Sequence, residues 1–280
     1  MAYVGLTILC STAIALILKW NDALKASAIY LLLGNYLVAA AISLFFWKNT
    51  PGQPASWQSL VLGLPLGGLF VFSFFAFTKA VAASGASLAT VSARLSVAIP
   101  VLLSMVLFDE LPGFWQTVGL ALVALTLWFF YQSLKNRQTR AIHWPDFFYL
   151  FVLWLGIGIN DFSLKIFQNW RGVSEKSFFL LVIFGSAFIY TFLIVYVQNI
   201  KLDRAAFTLG LALGIPNMFS AFFMINALHA LPGVIVYPTV NLGIILLTTL
   251  GSYIIWNEKL NSAGLQALLS GSLAILFLNL

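Results

Sequence analysis

Arg94 and Asp161 fall well inside long apolar stretches of the chain, residues 86–108 and 147–168. A charge at the centre of a bilayer costs roughly 2.5 to 3.5 kcal/mol on insertion scales, so each must face a partner or a polar cavity. Arg94 stands about nine residues into its stretch, too deep for easy snorkelling, and shares a helical stripe with Ser87 and Thr90. A guanidinium so placed holds either a substrate anion or a structural counter-ion. Asp161 precedes Lys165 by four residues, the favourable order for a pair on one helix face, and Gln168 extends that face. Three roles are open to this carboxylate: carrying a proton during transport, neutralising Lys165 or Arg94, or touching a substrate.

Lys19 aligns with Lys165 between the two halves of the chain, each preceded by Leu. With Arg94 the two lysines give a cavity net positive character, which favours a carboxylate or phosphate; each alone also reads as an interfacial anchor. Gly210, Asn217, Ser220 and Met224 share one helical face, and Tyr237, Asn241 and Thr248 share another. Such amides and hydroxyls either contact a ligand or join helices. Pro216 and Pro238 interrupt the hydrogen-bond ladder near these residues, which marks a candidate hinge. His143 and His229 are isolated, and Cys10 is the single cysteine, so neither a metal site nor a disulfide is expected. No cofactor and no catalytic residue is expected. A membrane enzyme would need paired acids or a His/Glu/Asp cluster at one depth, and there is no G-x-x-x-x-G-K-[ST] loop for ATP hydrolysis.

The elements that position these residues follow from composition. An apolar share of 61%, 8% charged residues and a mean hydropathy of +0.99 over 280 residues exclude a soluble core, which carries about 25% charged residues. A helix needs roughly 20 mostly apolar residues to cross the hydrocarbon. Polar punctuation cuts the chain into ten such stretches: 3–19, 26–47, 59–80, 86–108, 114–133, 147–168, 177–198, 206–228, 233–255 and 263–279. They are too long and too continuously apolar for barrel strands. The start of the chain lacks a basic n-region and a small-residue cleavage site, so the first helix is expected to be retained. The formal charge of +6 lies mostly at helix ends, as headgroup anchors require, and does not point to nucleic acid.

Residues 62–80 and 209–227 align, with identities at Leu62/Leu209, Gly63/Gly210, Gly67/Gly214, Phe72/Phe219 and Ser73/Ser220 among others. In the same register Asn241 falls on Arg94. The polar stretch 134–146 then separates a five-helix repeat at 1–133 from a second at 147–280. Five is odd, so a short linker leaves the second repeat inverted, with pseudo-two-fold symmetry in the membrane plane. Gly63 with Gly67, and Gly210 with Gly214, have the small-xxx-small spacing of close helix approach. Asp109, Glu110 and Pro112 before the fifth stretch, and Glu258 and Asn261 before the tenth, read as helix caps. Lys19, Lys25, Lys79, Lys135, Arg137, Arg140, Lys201, Arg204 and Lys259 share the linker face, against Lys48, Lys165, Arg171 and Lys176 opposite. By the positive-inside rule the linker is cytoplasmic and both termini lie outside.

SARLSVAIP with Arg94 and Pro100, then LFDELP with Asp109 and Glu110, resembles the fourth and fifth helices of the drug/metabolite transporter superfamily, EamA-like branch. LGIPNMFS with Asn217, YPTVN with Asn241, and WNEKL resemble helices of its second unit. The resemblance spans essentially the whole chain. It implies a ten-helix inverted-repeat carrier in the bacterial cytoplasmic (inner) membrane, with helices one, three, four, six, eight and nine around a central cavity. Basic residues are absent from both extreme termini, and the charge bias opposes the cytoplasmic termini usual in that family. The function so implied is secondary active export of a small polar or anionic metabolite, such as an amino acid, by alternating access. Substrate would contact Arg94, Lys19, Lys165, Asn217, Ser220, Tyr237 and Asn241, with Asp161 available for proton coupling. The alternatives are an exporter of hydrophobic or cationic drugs, and a non-transporting receptor or assembly subunit. The partners are then a small molecule and the lipid bilayer, with the protein a monomer or a homodimer.

Overall fold

The computed structural model describes residues 1–24, 26–50, 54–84, 86–135, 144–171, 173–257 and 261–280. Lys25, Arg137, Arg140, His143, Glu258, Lys259, the middle of the linker and the side chain of Ser87 lie outside the described residues. All regular structure among the described residues is helical. Only helices and closed barrels satisfy every backbone group in lipid, and the uninterrupted apolar runs select the helix.

The α-helices are α1 (Ala2–Ala23), α2 (Ala28–Asn49), α3 (Trp57–Ser84), α4 (Ala86–Leu95), α5 (Ala98–Phe108), α6 (Phe114–Lys135), α7 (Trp144–Arg171), α8 (Lys176–Val197), α9 (Arg204–Ala230), α10 (Gly233–Trp256) and α11 (Ser262–Leu278). Among the described residues nine segments are long and apolar enough to cross a membrane, one of them comprising α4 and α5, and α11 is a shorter apolar helix of 17 residues. The protein is a multi-pass helical membrane protein. Its helices follow the ten stretches expected from the sequence, except that the fourth stretch is two helices.

That break has a local cause. Pro100 has no N–H to give Ser96, and its ring crowds the Ser96 carbonyl. The ladder tightens instead to three-residue steps, Val97 N–H to Arg94 O at 3.4 Å and Ile99 N–H to Ser96 O at 3.0 Å. Pro216 and Pro238 each withhold one N–H from the ladder, as expected, yet α9 and α10 continue through them as helix.

The chain divides into two compact units that each take elements from both halves of the sequence. The first comprises Met1–Val71 and Ser163–Ala230. Within it α2 packs on α8 and α9, and α1 on α9. Small residues permit these approaches. A Cβ at Gly34 would strike the Phe207 carbonyl, one at Gly210 the Leu31 carbonyl, and one at Gly63 would meet Val182 Cγ1 at 2.8 Å. Two carboxylates fasten the ends. Asp203 accepts from Ser27 N–H at 2.7 Å and from Ala206 N–H at 3.0 Å, capping α9. Fully buried Glu175 accepts from Ser56 N–H at 2.6 Å and Arg171 Nε at 2.8 Å, fastening the start of α3 to that of α8.

The second unit comprises Phe72–Phe162 and Leu231–Leu280. Here α6 packs on α11, and α10 on α5 and α11, with Thr126 donating to Ser270 Oγ at 3.0 Å. Asp109 and Asn257 end α5 and α10 in the left-handed region, each at φ 53°, with their N–H groups on the Ser104 and Ser252 carbonyls. Asp and Asn tolerate that conformation better than other residues with a Cβ. Asn261 caps α11 as expected, accepting from Gly264 N–H at 2.8 Å. Glu110 has a different role: its carboxylate accepts from Gly233 N–H at 2.6 Å and caps α10.

Candidate functional site

In the second unit the break in the fourth span builds a polar cluster. The tightened ladder denies the Arg94 and Leu95 carbonyls their usual partners four residues on; Arg94 O keeps only the long bond from Val97 N–H at 3.4 Å, and Leu95 O needs a donor from elsewhere. The Asn241 side-chain amide reaches Arg94 O at 3.2 Å, and Trp154 Nε1 reaches Leu95 O at 3.1 Å. Tyr237, only 2% exposed and one turn before Asn241 on α10, donates its hydroxyl to the main-chain carbonyl of Asp161 at 2.9 Å. One face of α10 thus holds the backbones of both charged residues. Their side chains attract each other coulombically, with no hydrogen bond between them.

Further along α7, Asn160 donates to Ser73 Oγ at 3.0 Å. Gly156 makes room for that serine, since a Cβ there would lie 2.7 Å from its Oγ. The carbonyl oxygens of Asn160 and Asn241 and the hydroxyls of Thr239 and Thr248 are buried without a hydrogen-bond partner. An orphaned buried polar atom costs about 1 to 3 kcal/mol, and the first unit holds others at Thr12, Asn21, Gln168 and Thr191.

Four other expected site residues belong to the first unit. Asn217 donates to Asn35 Oδ1 at 3.0 Å, and the Asn35 side chain is buried. Ser220 and Ser11 share a hydrogen bond at 2.7 Å. These bonds fasten α9 to α2 and to α1, as the helix-joining reading allowed. Lys165 is 5% exposed, and it and Lys19 both have partners. Nearby in sequence, Lys176 donates to Asn226 Oδ1 at 2.9 Å and lies 4.2 Å above the Phe222 ring. Gln168 meets His229 Nδ1 at 3.5 Å.

The structure therefore joins Arg94, Asp161, Tyr237 and Asn241 in one unit, and Lys19, Lys165, Asn217 and Ser220 belong to the other. Sequence reasoning did not single out Trp154, Asn160 or Ser73. No sequence signal marks Trp154: Pro100 withholds its N–H from Ser96, whose carbonyl Ile99 serves, and the donor that reaches Leu95 comes from a distant part of the chain.

No family model matches the chain. A protein of Haemophilus influenzae (strain Rd), described as an uncharacterized protein, is 25% identical over 283 residues, covering 97% of this chain and 96% of that one. A crystal structure of another protein aligns with a TM-score of 0.78 at 14% identity, over 99% of this chain and 94% of its own. At that identity the likeness is one of fold, and it extends over nearly the whole of both chains.

Proposed function

We propose that this protein is a secondary transporter of the EamA-like drug/metabolite type that exports a small polar or anionic metabolite, such as an amino acid, across the bacterial inner membrane. The observation that carries the reading is the cluster at the broken fourth span, where Arg94 and Asp161 stand inside apolar segments beside freed carbonyls and orphaned acceptors. Carriers bind substrate at such interrupted helices, because only there can irregular backbone face a cavity at membrane depth. The matching left-handed caps at Asp109 and Asn257, with Ser104 and Ser252 as their acceptors, support the reading of the sequence as two related repeats. Inverted repeats let a carrier expose its site to one side at a time.

The test is flux into proteoliposomes, with amino acids, sugar phosphates and hydrophobic cations offered in turn. Saturable uptake of a carboxylate or phosphate that Arg94→Ala abolishes is the expected result. Saturable uptake of hydrophobic cations, untouched by Arg94→Ala, would make the protein a drug exporter and overturn the anionic assignment. An absence of flux for every class would leave a receptor or assembly role as the better reading.

A further inference from the structure

We propose that Asp161 is the resting counter-ion of Arg94, and that a carboxylate on the ligand takes its place. The inference rests on reading this cluster as a ligand site. Tyr237 and Asn241 stand one turn apart on α10, a rise of about 6 Å, and their hydrogen bonds hold the carbonyls of Asp161 and Arg94 on the same stripe of that helix. The main chains of the two charged residues are thereby held against the same stretch of α10. The attraction between their side chains is coulombic without a hydrogen bond.

A guanidinium carries five N–H donors in a planar fork that fits a carboxylate bidentately. Asp161 balances the charge of Arg94 without occupying that fork. An empty site is then electrically tolerable within the membrane, and a ligand carboxylate that takes over the charge balance gains the paired hydrogen bonds that Asp161 does not make. A carboxylate replaces a carboxylate with the least change in charge and shape. The displaced Asp161 next needs a donor, as does the unpartnered Oδ1 of Asn241 beside the Arg94 carbonyl, and N–H groups on the same ligand would serve both.

The experiment uses formate as a minimal carboxylate, with chloride as the ionic-strength control, and follows the Tm of the full-length protein in detergent. A tethered countercharge that the ligand must displace weakens apparent affinity in proportion to the share of time it stays paired with Arg94. Asp161→Asn is therefore expected to respond to formate at about tenfold lower concentration than the parent, and Arg94→Gln/Asp161→Asn not at all. Equal formate dependence in the parent and Asp161→Asn, or a response that survives loss of Arg94, overturns the proposal. If Asp161→Asn is unstable without an anion, it is purified in formate throughout: monodisperse protein only with formate supports the exchange, and aggregation in both buffers overturns it. A formate response without substrate flux would sink the transport reading alone, and flux without a formate response would sink the exchange alone.

Discussion

Asn241 donates its side-chain amide to the main-chain carbonyl of Arg94 across 3.2 Å, tying to α10 the turn that precedes the break in the fourth span. This is a side chain doing the work of a helical N–H. Interhelical hydrogen bonds of this kind average about 0.6 kcal/mol in a membrane protein and reach about 1.7. Asn241→Ala is accordingly expected to lower stability by about 1 kcal/mol while reducing flux severely, because the freed carbonyl no longer fixes where Arg94 stands. Denaturation in mixed micelles and proteoliposome uptake measure the two effects separately. A large loss of stability with normal flux would make Asn241 a packing residue.

Pro100→Ala tests the break itself. Proline in a helix interior is about 3 kcal/mol less favourable than alanine, and alanine restores the N–H that can reach Ser96. Healing the ladder would withdraw the carbonyls that Asn241 and Trp154 now hold. The expected variant has a higher Tm and lower transport, a separation that a purely structural proline would not produce. Unchanged flux would dissociate the break from function.

The α2 and α9 approach offers a sharper test of packing. At Gly34 an added Cβ meets the Phe207 carbonyl and also Leu211 N at 2.9 Å, whereas at Gly5 it meets nothing within 4 Å. Backbone atoms cannot swing aside as the tip of a side chain can. Overpacking costs typically 1 to 3 kcal/mol, so Gly34→Ala should lower stability by about 2 kcal/mol and Gly5→Ala should leave it unchanged. Paired melting curves in one detergent decide it.

The helices were legible because lipid makes one rule dominate: any segment crossing it must be apolar and must satisfy its own backbone. Stretches cut at polar residues therefore landed on the helices within a few residues, and the glycine spacings at Gly63, Gly67, Gly210 and Gly214 marked close approaches that exist. Prolines were harder to read. A ring at Pro216 or Pro238 can be absorbed within a continuous helix while Pro100 is not, and that outcome depends on whether neighbours such as Asn241 and Trp154 can take up the released carbonyls. Tertiary contact decides this, and it leaves no local trace. Glu110 was legible as a helix cap, but not which helix it caps. The residues just ahead of a helix are its natural caps, but this carboxylate serves Gly233 and Val234 at the start of α10. The grouping of Arg94 with Asp161, in contrast, was visible as one of the three roles open to the only acid deep in a span.

Asp203 supplies a pH-dependent test outside the apolar spans. Backbone N–H groups of Ala206 and Ser27 converge on its carboxylate and hold it below the usual carboxylate range. A group whose pKa falls on folding stabilises the native state above its unfolded value, about 3.9, and that contribution fades as the pH drops through the lower folded value. Asp203→Ala should therefore melt below the parent at neutral pH, and the difference should shrink steadily as the pH is taken below about 3.9. What survives in acid measures whatever the protonated side chain still contributes as a cap. A gap between the two proteins that stays constant across the acid range would show that the carboxylate's charge is not what fastens α9 to the residue preceding α2.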